Sequence, residues 1–129
     1  MINFQPVIII GAPRSGTNML RNAITHFDNI ATWPFDETNF IWKHGHKISD
    51  TDELNVNEIT NEKIKYVKDQ FLKIAFKNNS EFVVEKTCAN SLRVAYVDKI
   101  LPNAKFIFIY RNGNDAIVSA RKKWVEGLD

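Results

Sequence analysis

Cysteine is almost missing from this chain: Cys88 stands alone among 129 residues. An intrachain disulfide is therefore excluded, a cysteine-based zinc site is not expected, and the thiol reads as a small buried apolar group. Excess charge of one sign is missing too. The formal net charge of +2 is too small to point to nucleic acid as a partner. The N-terminal apolar run VIII stops at Gly11 and no basic residue precedes it, so neither a signal peptide nor a transmembrane segment is read, and a cytoplasmic protein is the expectation. Internal repeats, low-complexity tracts and interdomain linkers are also lacking. His44 and His46 have no carboxylate or cysteine partners at ligand spacing, so no metal is expected.

What remains is the composition of an ordinary soluble globular protein, 44% hydrophobic and 25% charged, in a chain suited to one domain. Pro6 to Ile10 is a continuous β-branched run, the pattern of a strand covered on both faces. A helix is predicted over 17–27 from Met19, Leu20, Ala23, Ile24 and Phe27, followed by a long irregular segment over 28–57. Helical spacing of Ile64, Val67, Phe71, Ile74 and Ala75 predicts an amphipathic helix over 58–77. Strands are predicted over 82–85 and 105–110, with helices over 91–101 and 116–125. Strands alternating with helices imply an α/β fold around a parallel sheet.

One further absence is chemical. Gly11 and Gly16, in GAPRSGTN, have the spacing of the glycines in a nucleoside-triphosphate loop, yet Thr17 and Asn18 follow where lysine and a hydroxyl residue belong. Such a loop still suits an anion: backbone amides around Ser15 to Asn18 would face it from a helix N-terminus, and Arg14 supplies the cation. A second candidate lies in FIFIYRNGNDAIVSARKKW. Arg111 ends a predicted strand and Ser119 sits on the next helix, close enough in an α/β unit to meet on one phosphate.

PRSGT after a buried strand resembles the 5′-phosphosulfate loop of sulfotransferases that use 3′-phosphoadenosine 5′-phosphosulfate, and the Arg111 and Ser119 pattern is similar to that family's 3′-phosphate motif. VVEKTCANSLRVAYVDKILPNAKFIFIYR resembles the Glu-Lys-Thr stretch of the carbohydrate-type and many bacterial members. The resemblance implies a three-layer P-loop-type fold, with Pro13, Arg14, Ser15, Gly16, Thr17, Asn18, Arg111 and Ser119 binding the donor. It also implies Lys86 beside the transferred sulfonate, no metal, and an acceptor carrying a hydroxyl or amine on a glycan, lipid or small molecule.

Aryl-type members carry a histidine base two residues after this lysine, where Cys88 stands here. DETNFIW, Asp36 to Trp42, is similar instead to the Glu-x-x-Phe segment of carbohydrate-type members, which makes Glu37 the expected base and Asp36 the alternative. Desolvation by Trp33, Phe35 and Phe40 would raise the Glu37 pKa. Met19 replaces a tryptophan that stacks on adenine in aryl-type members. The likeness spans nearly the whole chain but about half of a typical member, so residues 1–129 are expected to be the N-terminal portion of the domain, with the fold incomplete. Two rival readings are a small phosphotransferase of the same loop architecture and a non-catalytic nucleotide-binding module.

Overall fold

The computed structural model describes residues 3–47 and 49–127. A central strand needs apolar side chains on both faces, and Gln5–Ile10 (β1) supplies them, with Val7 to Ile10 all buried. On one side β1 pairs with Phe82–Lys86 (β3), which pairs in turn with Ile30–Thr32 (β2); on the other it pairs with Lys105–Phe108 (β4). The sheet order is β2-β3-β1-β4 and every pairing is parallel. Among the described residues five α-helices accompany the sheet: Thr17–Ile24 (α1), Asn39–Lys43 (α2), Asn61–Asn78 (α3), Val94–Ile100 (α4) and Gly113–Trp124 (α5). The α/β architecture with a parallel sheet is as the sequence implied, with a fourth strand added.

Alternation along the strands divides the core in two. Ile8, Ile10 and Val83 point to the side packed by α2, α3 and α4, where Trp42, Phe71, Tyr96 and Ile100 are fully buried. Val7, Ile9 and Val84 point the other way and meet Leu20 and Ile24 of α1. Phe71 organises the larger side, stacked on Phe4 and edge-on to Trp33 with ring centres 4.9 Å apart. The β4 margin is less covered: Phe108 and Tyr110 are exposed, as are Ile117, Val118 and Trp124 of α5.

Several element boundaries differ from the periodicity. The 28–57 segment is not wholly irregular. It holds β2, which exists through its ladder to β3 and through Thr32 Oγ1 donating to the Val84 carbonyl at 2.7 Å. It also holds α2, whose last carbonyls accept from the buried Lys63 ammonium: Ile41 at 3.0 Å, Trp42 at 2.6 Å and His44 at 2.7 Å. A single turn with that cap needs no periodicity of its own.

Helix α1 ends at Ile24 rather than Phe27, and Met19 and Phe27 are exposed instead of core. Helix α3 starts at Asn61 because Thr60 Oγ1 accepts from the Lys63 amide at 3.1 Å. The predicted 91–101 helix divides into a 3-10 segment, Cys88–Leu92, and α4. Helix α5 begins at Gly113, where the Asn112 side chain caps the Asn114 amide. Among the described residues no helix is long and apolar enough to cross a membrane.

Candidate functional site

The carboxyl ends of β1, β3 and β4 open on one side of the sheet, where the strand order reverses around β1 and ligands of open α/β sheets bind. The loop leaving β1 runs straight into α1 and contains two left-handed residues, Arg14 at φ 65° and Gly16 at φ 91°. Glycine adopts that conformation without cost, whereas arginine does so at roughly 1 kcal/mol or more. Gly11 answers a different need: a Cβ there would lie 2.6 Å from Ile109 Cγ2 and 2.9 Å from Thr17 Cγ2. The close approach of β1, β4 and α1 thus depends on a missing side chain.

No side chain caps the N-terminus of α1, and its first turn carries no acidic residue. Its amides and dipole therefore favour an anion. A cleft of about 430 Å³ lies over this end, lined by Arg14, Ser15, Gly16, Thr17, Asn18, Met19 and Arg111. Ser15 and Thr17 are buried, Asn18 is exposed, and Pro13 sits exposed in the turn.

Arg14 and Ser119, 105 residues apart in sequence, meet here, with Arg14 Nε donating to Ser119 Oγ at 3.0 Å. Arg111 Nη1 donates to the Arg14 carbonyl at 2.8 Å. Arg111 and Ser119 also share a neighbouring cleft with Asp115, Val118 and Lys122. The two anion motifs read from sequence are therefore one continuous polar surface, with the guanidinium of Arg111 lining both clefts.

Lys86, at the end of β3, is buried, and its ammonium lies 3.1 Å from Glu37 Oε1. The Cys88 amide donates to the same oxygen at 3.2 Å. Burial of Glu37 is the largest single influence and would raise its pKa. The Cys88 and Lys86 hydrogen bonds and the Lys86 charge together outweigh it, and the pKa is lowered. The expectation of a raised pKa is thus overturned: a buried cation sits against the carboxylate, and Trp33 is spent in the core. Cys88 responds oppositely. Burial first, then the Glu37 carboxylate, push its thiol up to about 11, and Sγ lies 3.8 Å from Thr17 Oγ1.

Sequence reasoning missed the side chains that hold this arrangement. Arg21 is buried one turn into α1 and donates through Nη1 to the carbonyls of Phe35 at 3.0 Å and Asp36 at 2.7 Å. Asp36 itself faces Arg21 at 3.4 Å rather than Lys86. Glu85 is fully buried beside Lys86. A charged residue inside the apolar strand FVVEK was the available signal for it.

His44 and His46 lie apart from this region. His44 stacks on Tyr66 with ring centres 3.7 Å apart, and His46 Nε2 is 2.9 Å from the Tyr96 hydroxyl. Both line a cleft of about 630 Å³ between the end of α2 and the start of α3, and that cleft contains none of the residues named above for anion binding.

A family model described as "Sulfotransferase family" matches residues 6–128. No curated protein matches the chain.

Proposed function

Because the chain belongs to the sulfotransferase family, we propose that it transfers the sulfonate of 3′-phosphoadenosine 5′-phosphosulfate to an acceptor hydroxyl or amine. The observation that carries this reading is the junction of Arg14, Arg111 and Ser119, which joins two anion-binding motifs from opposite ends of the chain. A donor with a phosphosulfate at one end and a 3′-phosphate at the other needs two such sites, and a nucleoside triphosphate does not.

In this reading the uncapped amides of α1, with Arg14 and Thr17, hold the phosphosulfate, while Arg111 and Ser119 take the 3′-phosphate. Glu37 accepts the acceptor's proton as the acceptor oxygen or nitrogen attacks sulfur. The bond from sulfur to the bridging oxygen breaks, and adenosine 3′,5′-bisphosphate leaves with the electron pair. Lys86, held by Glu37 before the reaction, is assigned the stabilisation of that negative charge; fixed cations and amides of this kind contribute several kcal/mol, roughly 3–4 for one well-placed donor. A lowered Glu37 pKa keeps the base ionised at neutral pH, so it is always ready to receive a proton although weakly basic.

Thermal-shift titration tests the donor assignment. Adenosine 3′,5′-bisphosphate should stabilise the wild type, and Arg14→Ala and Arg111→Ala should each abolish the shift. A larger shift with magnesium-ATP, or one that survives in both variants, would refute it.

A further inference from the structure

We propose that Glu85 is a positioning residue, a buried carboxylate that fixes the base loop to the end of β3 and so sets the contact between Glu37 and Lys86. The inference rests on the catalytic reading of that pair, but its geometric basis is separate. Consecutive residues of a strand face opposite sides, so Lys86 emerges on the α1 side of the sheet and Glu85 on the α2 side. The base loop makes the same division one residue at a time. Glu37 reaches Lys86, while the next residue, Thr38, donates its hydroxyl to Glu85 Oε1 at 2.7 Å. Two consecutive residues of one segment thus straddle the end of the strand and grip two consecutive residues of the other.

The remaining partners of Glu85 make that grip rigid. Trp42 Nε1 of α2 donates to Oε1 at 3.1 Å, and the Thr87 hydroxyl donates to the same atom. Thr87 Oγ1 also accepts from the Thr38 amide at 3.1 Å, closing a small ring between the two segments. Asn90 Nδ2 donates to Oε2 at 2.8 Å, and Arg93 fixes the Asn90 amide by donating to its Oδ1 at 2.8 Å. Four donors converge on one carboxylate that solvent does not reach. Burial pushes its pKa up, and the Thr87, Thr38 and Trp42 hydrogen bonds oppose that shift. A core that needed only apolar filling would not contain this group.

Cys88 provides a readout independent of activity, because its thiol lies among Glu37, Lys86 and Thr17, and its own amide holds Glu37. Thr38→Val removes one hydroxyl with little change of shape, and Thr38→Ser restores it. Iodoacetamide alkylation of the sole cysteine should become several-fold faster at pH 9 in Thr38→Val, because displacing the Glu37 carboxylate removes one cause of the raised thiol pKa while burial, the larger cause, remains. Thr38→Ser should stay near wild type. Donor turnover, read as release of adenosine 3′,5′-bisphosphate, should fall roughly tenfold to a hundredfold in kcat with KM for the donor little changed.

Should Thr38→Val not fold, Thr87→Val with Thr87→Ser as its rescue is read in the same way. An unchanged Cys88 titration in a folded valine variant would overturn the proposal. A shifted titration, with Glu37→Gln turning over the donor at full rate, would keep Glu85 as the positioning residue and retire Glu37 as the base.

Discussion

Adding one methyl group at Gly11 tests whether the meeting of β1, β4 and α1 is as tight as the structure has it. In Gly11→Ala the new Cβ falls 2.6 Å from Ile109 Cγ2, 2.9 Å from Thr17 Cγ2 and 3.1 Å from the Ile109 carbonyl oxygen. Carbon atoms pack at about 3.5–4.0 Å, so roughly 1 Å of movement is required. Ile109 cannot supply it freely, because its amide donates to the Ile10 carbonyl at 2.9 Å. Overpacking costs about 1–3 kcal/mol, and a lost backbone hydrogen bond adds about 0.5–1.5 kcal/mol. The sum corresponds to a fall in Tm on the order of 10 °C for a chain of this length. Gly113→Ala is the matched control: a Cβ at the start of α5 meets nothing within 4 Å, and its φ is not positive. Calorimetry or thermal denaturation followed by circular dichroism reads both. A Gly11→Ala Tm within about 2 °C of wild type, where a small unstrained change would leave it, would refute the close-approach argument.

Thr60→Ala should lower stability by about 1 kcal/mol through loss of the α3 cap, read as a lower urea midpoint at constant m. Glu37→Gln should flatten the acid limb of stability. The folded pKa of Glu37 lies below its ordinary value near 4.5, so its contribution is fully present above that pH and is lost as pH falls through the folded value. The wild-type advantage in urea should therefore shrink between pH 5 and pH 3, roughly the range in which a paired carboxylate is protonated; an advantage that persists undiminished at pH 3 would contradict the pairing with Lys86. Adenosine 3′,5′-bisphosphate should slow alkylation of Cys88, since Sγ lies beside Thr17 in the loop proposed to hold the phosphosulfate. Equal rates with and without the nucleotide would place the ligand elsewhere.

How much of this was legible depends on how local each cause is. The β1 run, the α3 face and the start of β4 carry their own apolar patterns, and the sequence marks all three. In contrast, β2 is three residues long and exists because β3 lies beside it, while α2 is one turn capped by a lysine 19 to 22 residues downstream. The loop glycines and Arg14 were readable because their spacing is chemical. The meeting of Arg14 with Ser119, 105 residues apart, is not readable from the sequence, and the pKa of Glu37 was misread because its cation lies 49 residues away. Arg21 and Thr38 look like ordinary residues of a helix and a loop, and Glu85 stands out only as a charge inside the apolar strand FVVEK. Their importance is set by partners that no local window contains.

The straddling contact at the end of β3 also fixes where the chain can change length. Surface connections normally accept insertions at small energetic cost. A single residue inserted between Glu37 and Thr38, however, would force one of the two grips to open, because each is tied to a different side of the same strand. Loop exchange there must therefore preserve that adjacency, and the stretch between α2 and α3 is no freer, because His46 meets the Tyr96 hydroxyl and the Asp52 carbonyl accepts from Arg93.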